Sequence, residues 1–470
     1  MLLTFQDFQQ AGRNKAAFIS QAISNHKASQ TYRIARDADL YDRQQNSTIN
    51  NYVQRIFSLS GTPIEDFTAS NSKIASNFFH RLNTQRCAYS LGNGVSFASA
   101  RLQDDEFGGT SLVDSTKQAL GKHFDTDLYN VCYKGLIHGV SFGFSYNDRL
   151  YCFPVTEFVP FWDEYDGTLG AGVRFWQLAS DKPMMAVLYE KDGYTKFASE
   201  GDGDNSTLKV IQDKRPYILK IATIAATGDS AIVGEENYSS LPIVPFWGSK
   251  LKQSTLVGMK QSIDSFDLIR SGFANDLTDC SQIYWIVENC GGMRDEDLAR
   301  FRDRLHLSHI ASIPNAEEGV AVKPYTQDIP FAARKQYLDD IRAGIYEDFG
   351  GLDVHTIAAG ATNDHIDAAY QPLDENADDF EYNVIEFIQQ LLSLKGIDDD
   401  DPIFKRNRIS NQQEQVDMVL SAANYLDDRT ILEKLPFISV DEVTRILKEK
   451  GQEDSERFED VEETEEIENV

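Results

Sequence analysis

Gly139-Val140-Ser141-Phe142-Gly143 spells G-x-S-x-G. In that pattern a serine hydroxyl, raised on a strained strand-to-helix turn, attacks an acyl carbon with a histidine as base. His306, His309, His355 and His365 lie downstream as candidate bases. The order of elements opposes the chemistry. A helical pattern over 125–138 precedes the motif and the alternating run FGFSYND follows it, so the two glycines read as a tight helix-to-strand turn. Gly121-Lys122 fails as a phosphate loop, because Thr116 stands where the upstream Gly is needed and His123 where a Ser or Thr is needed. Asp202, Asp204 and Asn205 could touch a divalent cation, but lack the spaced acidic ligand that completes a calcium loop and read as a hairpin tip. The run Asp398 to Asp401, closed by Pro402, reads as a solvated helix terminus. Arg294, Arg300, Arg302 and Arg304 alternate with Asp295, Glu296, Asp297 and Asp303, the pattern of a salt-bridged exposed helix or of a subunit or adaptor interface.

The elements that would position such groups differ along the chain. Helical spacing is found over 70–90, 111–123 and 125–138, while 1–50 is polar and Gln/Asn-rich and reads as an arm partly disordered alone. From 140 to 244, short runs such as LYCFPV, VRFWQLA and MMAVLYEK alternate between turns, which predicts β-hairpins. Ser254 then caps a long stripe of Leu256, Met259, Ile263, Phe266, Arg270, Phe273, Leu277, Cys280, Tyr284 and Val287, apolar but for Arg270 and stepping by three and four, with Gly291-Gly292 as the stop. Its last part, IYWIVE, also reads as a strand, followed by a charged helix at 296–306 and the strands HIASIP and VAVKP. Further helices are expected at 330–350, 365–395 and 410–450.

At 470 residues the chain exceeds one typical core, and no run of about 18 apolar residues suggests a membrane span. The N-terminal residues lack the pattern of a secretory signal. Five cysteines without C-x-x-C spacing argue against a disulfide framework or a zinc site and fit a reducing cytoplasm. A formal net charge of −29 is the wrong sign for gripping phosphates. It suits either a solubilising surface or a passage along which nucleic acid must slide.

Several segments resemble, in order, those of tailed-bacteriophage portal proteins, the head-to-tail connectors of siphophage type. The run QSIDSFDLIRSGFANDLTDCSQIYWIVENCGG is similar to their stem helix, and LPIVPFWGSK to the strand leading into it. NSKIASNFFHRLNTQRCAYSLGNGVSF resembles an early helix closed by a Gly turn, and LYNVCYKGLIHGVSFGFSYNDRLYCFPVTEFVPFWDEY the family's helix, Gly turn and strand pair. YLDDIRAGIYEDFGGLDV resembles the second stem helix and DRTILEKLPFISVDEVTRILKEK the C-terminal hairpin, so that the likeness covers about 40–450.

That resemblance implies an α+β subunit with a wing of helices and β-hairpins, a two-helix stem, a small α/β clip and a helical crown, assembled as a ring of about twelve copies. The expected parts are an N-terminal arm at 1–50, a wing at 51–250 with a long wing helix at 365–396, stem helices at 254–289 and 330–350, and a clip at 290–329. A tunnel loop would occupy 353–364, crown helices 405–450 and a disordered acidic tail 451–470. His355, Thr356, Ile357, Ala358, Ala359, Gly360, Ala361, Thr362 and Asn363 would line the DNA channel, the small residues suiting contact with any sequence. From composition alone the same stretch reads equally as a flexible connector. Arg334, Lys335 and Arg342 are the candidate channel-facing basic residues and Arg294, Arg300, Arg302 and Arg304 the candidate clip interface. The implied role is non-enzymatic, with no metal and no cofactor. The implied partners are the terminase large subunit, a head-tail adaptor, major capsid and scaffold proteins, and double-stranded DNA in transit without sequence specificity; no membrane is implied. The implied location is the portal vertex of the virion, after assembly in the host bacterial cytoplasm. The alternatives are another head-tail connector or minor capsid protein, against which the length and the two stem-like helices count, and the G-x-S-x-G hydrolase.

Overall fold

Val140–Tyr146 is the central strand of a three-stranded antiparallel sheet, flanked by Ile243–Trp247 and Arg149–Pro154, with Pro245 opposite Phe142 and Cys152 opposite Gly143. Alternation along a strand sends neighbouring residues to opposite faces. Val140, Phe142 and Phe144 accordingly enter one core with Phe153, Phe158, Tyr189 and Tyr217. Ser141 and Gly143 face the helices instead. There the small residues let Phe124–His138 and Asn363–Lys395 come close: a Cβ on Gly143 would lie 2.5 Å from the Phe387 ring. On the helical side Leu128, Val131, Leu136, Val244, Phe246, Phe380, Val384 and Phe387 form a second core.

In this computed structural model the described residues are 3–435, 443 and 445–448, apart from 13, 58–61, 66–69, 105–109, 201–206, 224–229, 281–283, 289–295, 297–320, 326–329, 358–361, 398–399 and 409–411. Helix and sheet are mixed, as an α+β chain requires. The chain divides into two compact units, one of Met1–Gln44, Asn77–Lys260 and Ile345–Val470, the other of Gln45–Ser76 and Gln261–Gly344. Among the described residues no helix is long and apolar enough to cross a membrane.

In the first unit a five-stranded antiparallel meander runs Thr207–Arg215, Gly193–Glu200, Met185–Glu190, Leu169–Trp176 and Phe158–Trp162. The hairpins expected from the sequence are therefore present. The N-terminal residues depart from the arm reading. Phe5–Gln10, Lys15–Ala28 and Gln30–Asp42 are helices. Phe8, Ile19, Ala22 and Ile23 are buried against Val159, Phe161, Ala171 and Val173 of the meander. A polar composition concealed one apolar face, which tertiary packing suffices to order. The helix expected over 111–123 is also replaced, by a strand at Thr110–Val113 and a short helix at Ser115–Leu120. Asp114 caps the helix by accepting from Lys117 N at 2.8 Å, and Gly121 at φ +107° ends it. The acidic run before Pro402 differs as well: Asp400 is buried, accepting from Ser99 N at 3.0 Å and from the hydroxyls of Ser99 and Thr116.

Leu256–Cys280 forms the first long helix, which ends before the last two members of the expected stripe. Tyr284 and Val287 lie in a strand, Tyr284–Glu288, paired antiparallel with Ala321–Tyr325. Its β-branched and aromatic residues prefer a pleated surface. The stripe is buried at Leu256, Met259, Ile263 and Phe266, whereas Leu277 is exposed. Along this helix within the second unit, the buried positions beyond Phe266 among the described residues are polar: Asp267, Ser271 and Asn275. They receive the strap 72–76, an extended run at the start of the stretch expected to be helical. Ser72 N donates to Asn275 Oδ1 at 2.6 Å, Ile74 N to Ser271 Oγ at 3.0 Å and Ser76 N to Asp267 Oδ1 at 2.9 Å. Two extended residues advance about 6.7 Å and four helical residues about 6.0 Å, so alternate amides meet side chains one turn apart. The second long helix, Phe331–Phe349, meets the first within this unit through Phe273 and Phe331, whose ring centroids lie 5.6 Å apart.

Candidate functional site

The stretch between the second long helix and the 33-residue helix Asn363–Lys395 holds the candidate loop, and the first unit anchors both of its ends. The helix Phe78–Leu91 supplies the anchor. Leu82, Gln85, Arg86 and Tyr89 fall at i, i+3, i+4 and i+7, one face of the helix. At the near end Gly350 turns the chain at φ +65°, and a Cβ on Gly351 would lie 2.5 Å from Leu82 Cδ2. Leu352 is held on both sides of its peptide: its N–H donates to Gln85 Oε1 at 2.9 Å and its carbonyl accepts from Gln85 Nε2 at 2.9 Å. Asn376 Nδ2 donates to the Phe349 carbonyl at 2.6 Å. Arg86, buried against the Phe380 ring, donates to the Asn376 carbonyl at 3.0 Å. Burial pushes its guanidinium down to about 10, which leaves it cationic at neutral pH.

At the far end Tyr370 stacks on Tyr89, centroids 5.7 Å apart and planes 28° from parallel. The Tyr89 hydroxyl donates to Asp374 Oδ1 at 2.6 Å, and Asp374 also pairs with Arg406 at 3.1 Å and Arg408 at 3.2 Å. Leu352, Ile366, Tyr370, Leu373 and Ala377 pack with Tyr89 in one small core, and Ile357 rests half-buried on it.

Of the proposed channel residues, His355 is exposed on the 3-10 turn Val354–Thr356, its amide donating to Asp353 Oδ1 at 3.1 Å. Thr356 completes that turn, Thr362 immediately precedes the long helix and Asn363 opens it. Ala358, Ala359, Gly360 and Ala361 lie outside the described residues, as do Arg294, Arg300, Arg302 and Arg304, the hairpin tip at Asp202, Asp204 and Asn205, and the tail 451–470. On the second long helix Arg334 is ion-paired with Asp276 and lies 5.8 Å from the Phe273 ring, so it serves the helix pair. Lys335 is exposed and Arg342 half-buried.

The G-x-S-x-G serine performs a structural task. Ser141 is fully buried in a strand, and its hydroxyl donates to the Val131 carbonyl at 2.6 Å. Gly139 takes φ +88° and ends the preceding helix; a Cβ there would lie 2.7 Å from the Ser254 backbone nitrogen. No elbow presents the hydroxyl, and the motif is a packing junction, as the element order indicated.

Sequence reasoning missed Gln85, Arg86, Tyr89 and Asn376. The helical spacing of Gln85, Arg86 and Tyr89 was legible, but polar side chains on a buried face do not stand out from an exposed face until the partner backbone is known.

A profile of the family described as phage portal protein, SPP1 Gp6-like, matches residues 20–456. The chain is 30% identical over 230 residues to a protein named portal protein from Clostridium phage phiCD119, covering 47% of this chain and 50% of that relative. It is 22% identical over 436 residues to the portal protein of Bacillus phage SPP1, covering 84% and 80% of the two chains. The match thus spans half the length of the first relative and most of the second.

Proposed function

This chain belongs to the SPP1 Gp6-like family of phage portal proteins, and on that premise we propose that copies of it close into a ring of about twelve at one capsid vertex. Double-stranded DNA would be driven through the ring by a separate terminase and later ejected by the same route. The family match over 20–456 carries the reading. The make-up of the second unit supports it: most of both long helices, with the pair Tyr284–Glu288 and Ala321–Tyr325 closing the segment between them, as a two-helix stem with a clip would need. The wing would comprise the meander, the three-stranded sheet and Asn363–Lys395, and would include the N-terminal helices. The crown would include Gln412–Ala422 and Asp428–Lys434. The loop 353–364 would face the DNA, and the clip would dock the terminase large subunit or a head-tail adaptor. Scaffold and major capsid proteins would surround the ring in the virion.

Mass photometry with negative-stain imaging tests the assembly. Particles near twelve times the 53.0 kDa chain, with a central hole, are expected. A uniform monomer or dimer that persists after co-expression with scaffold and capsid proteins would overturn it.

A further inference from the structure

We propose that the helix Phe78–Leu91 positions the 353–362 loop and that Gln85 is the positioning residue, a role that rests on the reading of that loop as the part touching DNA. Gln85 does for Leu352 what an adjacent strand would do. Its carboxamide accepts from Leu352 N and donates to Leu352 O, both at 2.9 Å, closing a two-bond ring on one residue of a stretch with no ladder of its own. Among side chains in their ordinary state at neutral pH only a primary amide offers an acceptor and a donor side by side on one planar group, and asparagine is one methylene shorter.

The pairing is also placed where it governs the loop. Leu352 is buried two residues before the 3-10 turn that carries His355. Leu82 lies beneath Gly351, and Tyr89 stacks on Tyr370 beyond the loop's other end. One helix face therefore holds both ends. On the same helix Asn83 Oδ1 accepts from the Thr255 hydroxyl at 2.9 Å, and Thr255 immediately precedes the first long helix. The helix thus fixes the loop's root against the start of that long helix by packing.

Full-length Gln85→Ala, Gln85→Glu and a deletion of 358–361 separate this proposal from the reading beneath it. Hydrogen–deuterium exchange over 350–357 is compared with exchange over 124–138, and each variant is assayed for DNA packaging in assembled particles. Gln85→Ala should raise exchange at Leu352 and the following turn about tenfold with the reference helix unchanged. Gln85→Glu, which keeps the acceptor and loses the donor, should fall between. Both variants should form rings and package less DNA. Unaltered exchange at Leu352, or a rise shared equally by the reference helix, overturns the proposal. So does altered exchange with full packaging when the deletion itself impairs packaging. If the deletion leaves packaging intact, the channel reading of the loop fails, and exchange alone decides whether Gln85 holds its root.

Discussion

Ser141 carries its hydroxyl where no substrate can meet it. Replacing it with Ala removes one buried hydrogen bond, a loss of about 1 kcal/mol that a denaturant midpoint would register. The folded wild-type protein should resist a fluorophosphonate probe, and labelling at Ser141 would reopen the hydrolase reading. The motif's outcome was readable beforehand, because residue order along the chain already placed a helix before it and a strand after it. The role of the small side chains was not. Only the register reveals that Ser141 and Gly143 share the face on which two helices must approach, and that a Cβ on Gly248 would lie 2.3 Å from the Gly135 carbonyl.

Elements with a strong period were legible and those held by distant partners were not. The second long helix and the 33-residue helix fall close to their expected limits, because an apolar stripe and a closing glycine, Gly396 at φ +71°, fix them locally. The strap 72–76 lies in a stretch whose spacing predicts helix, and its own residues carry no contrary signal. What decides its shape is a row of acceptors about 200 residues away in sequence. Asp267 is the busiest of these, accepting from Ser76 N and, at 2.8 Å, from Asn46 Nδ2. Burial raises its pKa, and the hydrogen bonds from Asn46 and Ser76 oppose that rise. Asp267→Ala should therefore cost about 2 kcal/mol by stranding one buried and one half-buried donor. Asp264→Ala, which releases the exposed Thr48 hydroxyl, should cost clearly less. Equal melting temperatures for the two variants would discount the ladder as a determinant of the strap.

For the molecule as a whole, the −29 charge means that any cation along a DNA path stands against an acidic background. Arg334, Lys335 and Arg342 are the cations that the sequence offers there, yet the charge of Arg334 is offset by Asp276. Arg334→Ala alone should therefore change packaging efficiency less than the triple Ala variant, with ring formation intact. Unchanged packaging in the triple variant would remove these residues from the channel surface. The broad order of helices, hairpins, long helix and second long helix was legible end to end, since each segment has its own composition. The grouping of Gln45–Ser76 with Gln261–Gly344 was not, because no local pattern links them. That grouping has a consequence in time. At about 5–20 residues per second on the ribosome, the acceptors for Ser72, Ile74 and Ser76 emerge roughly 10–40 s after the strap itself. Throughout that interval the strap's amides have only water as partner, and a nascent chain halted before Asn275 has no complete seat to offer them.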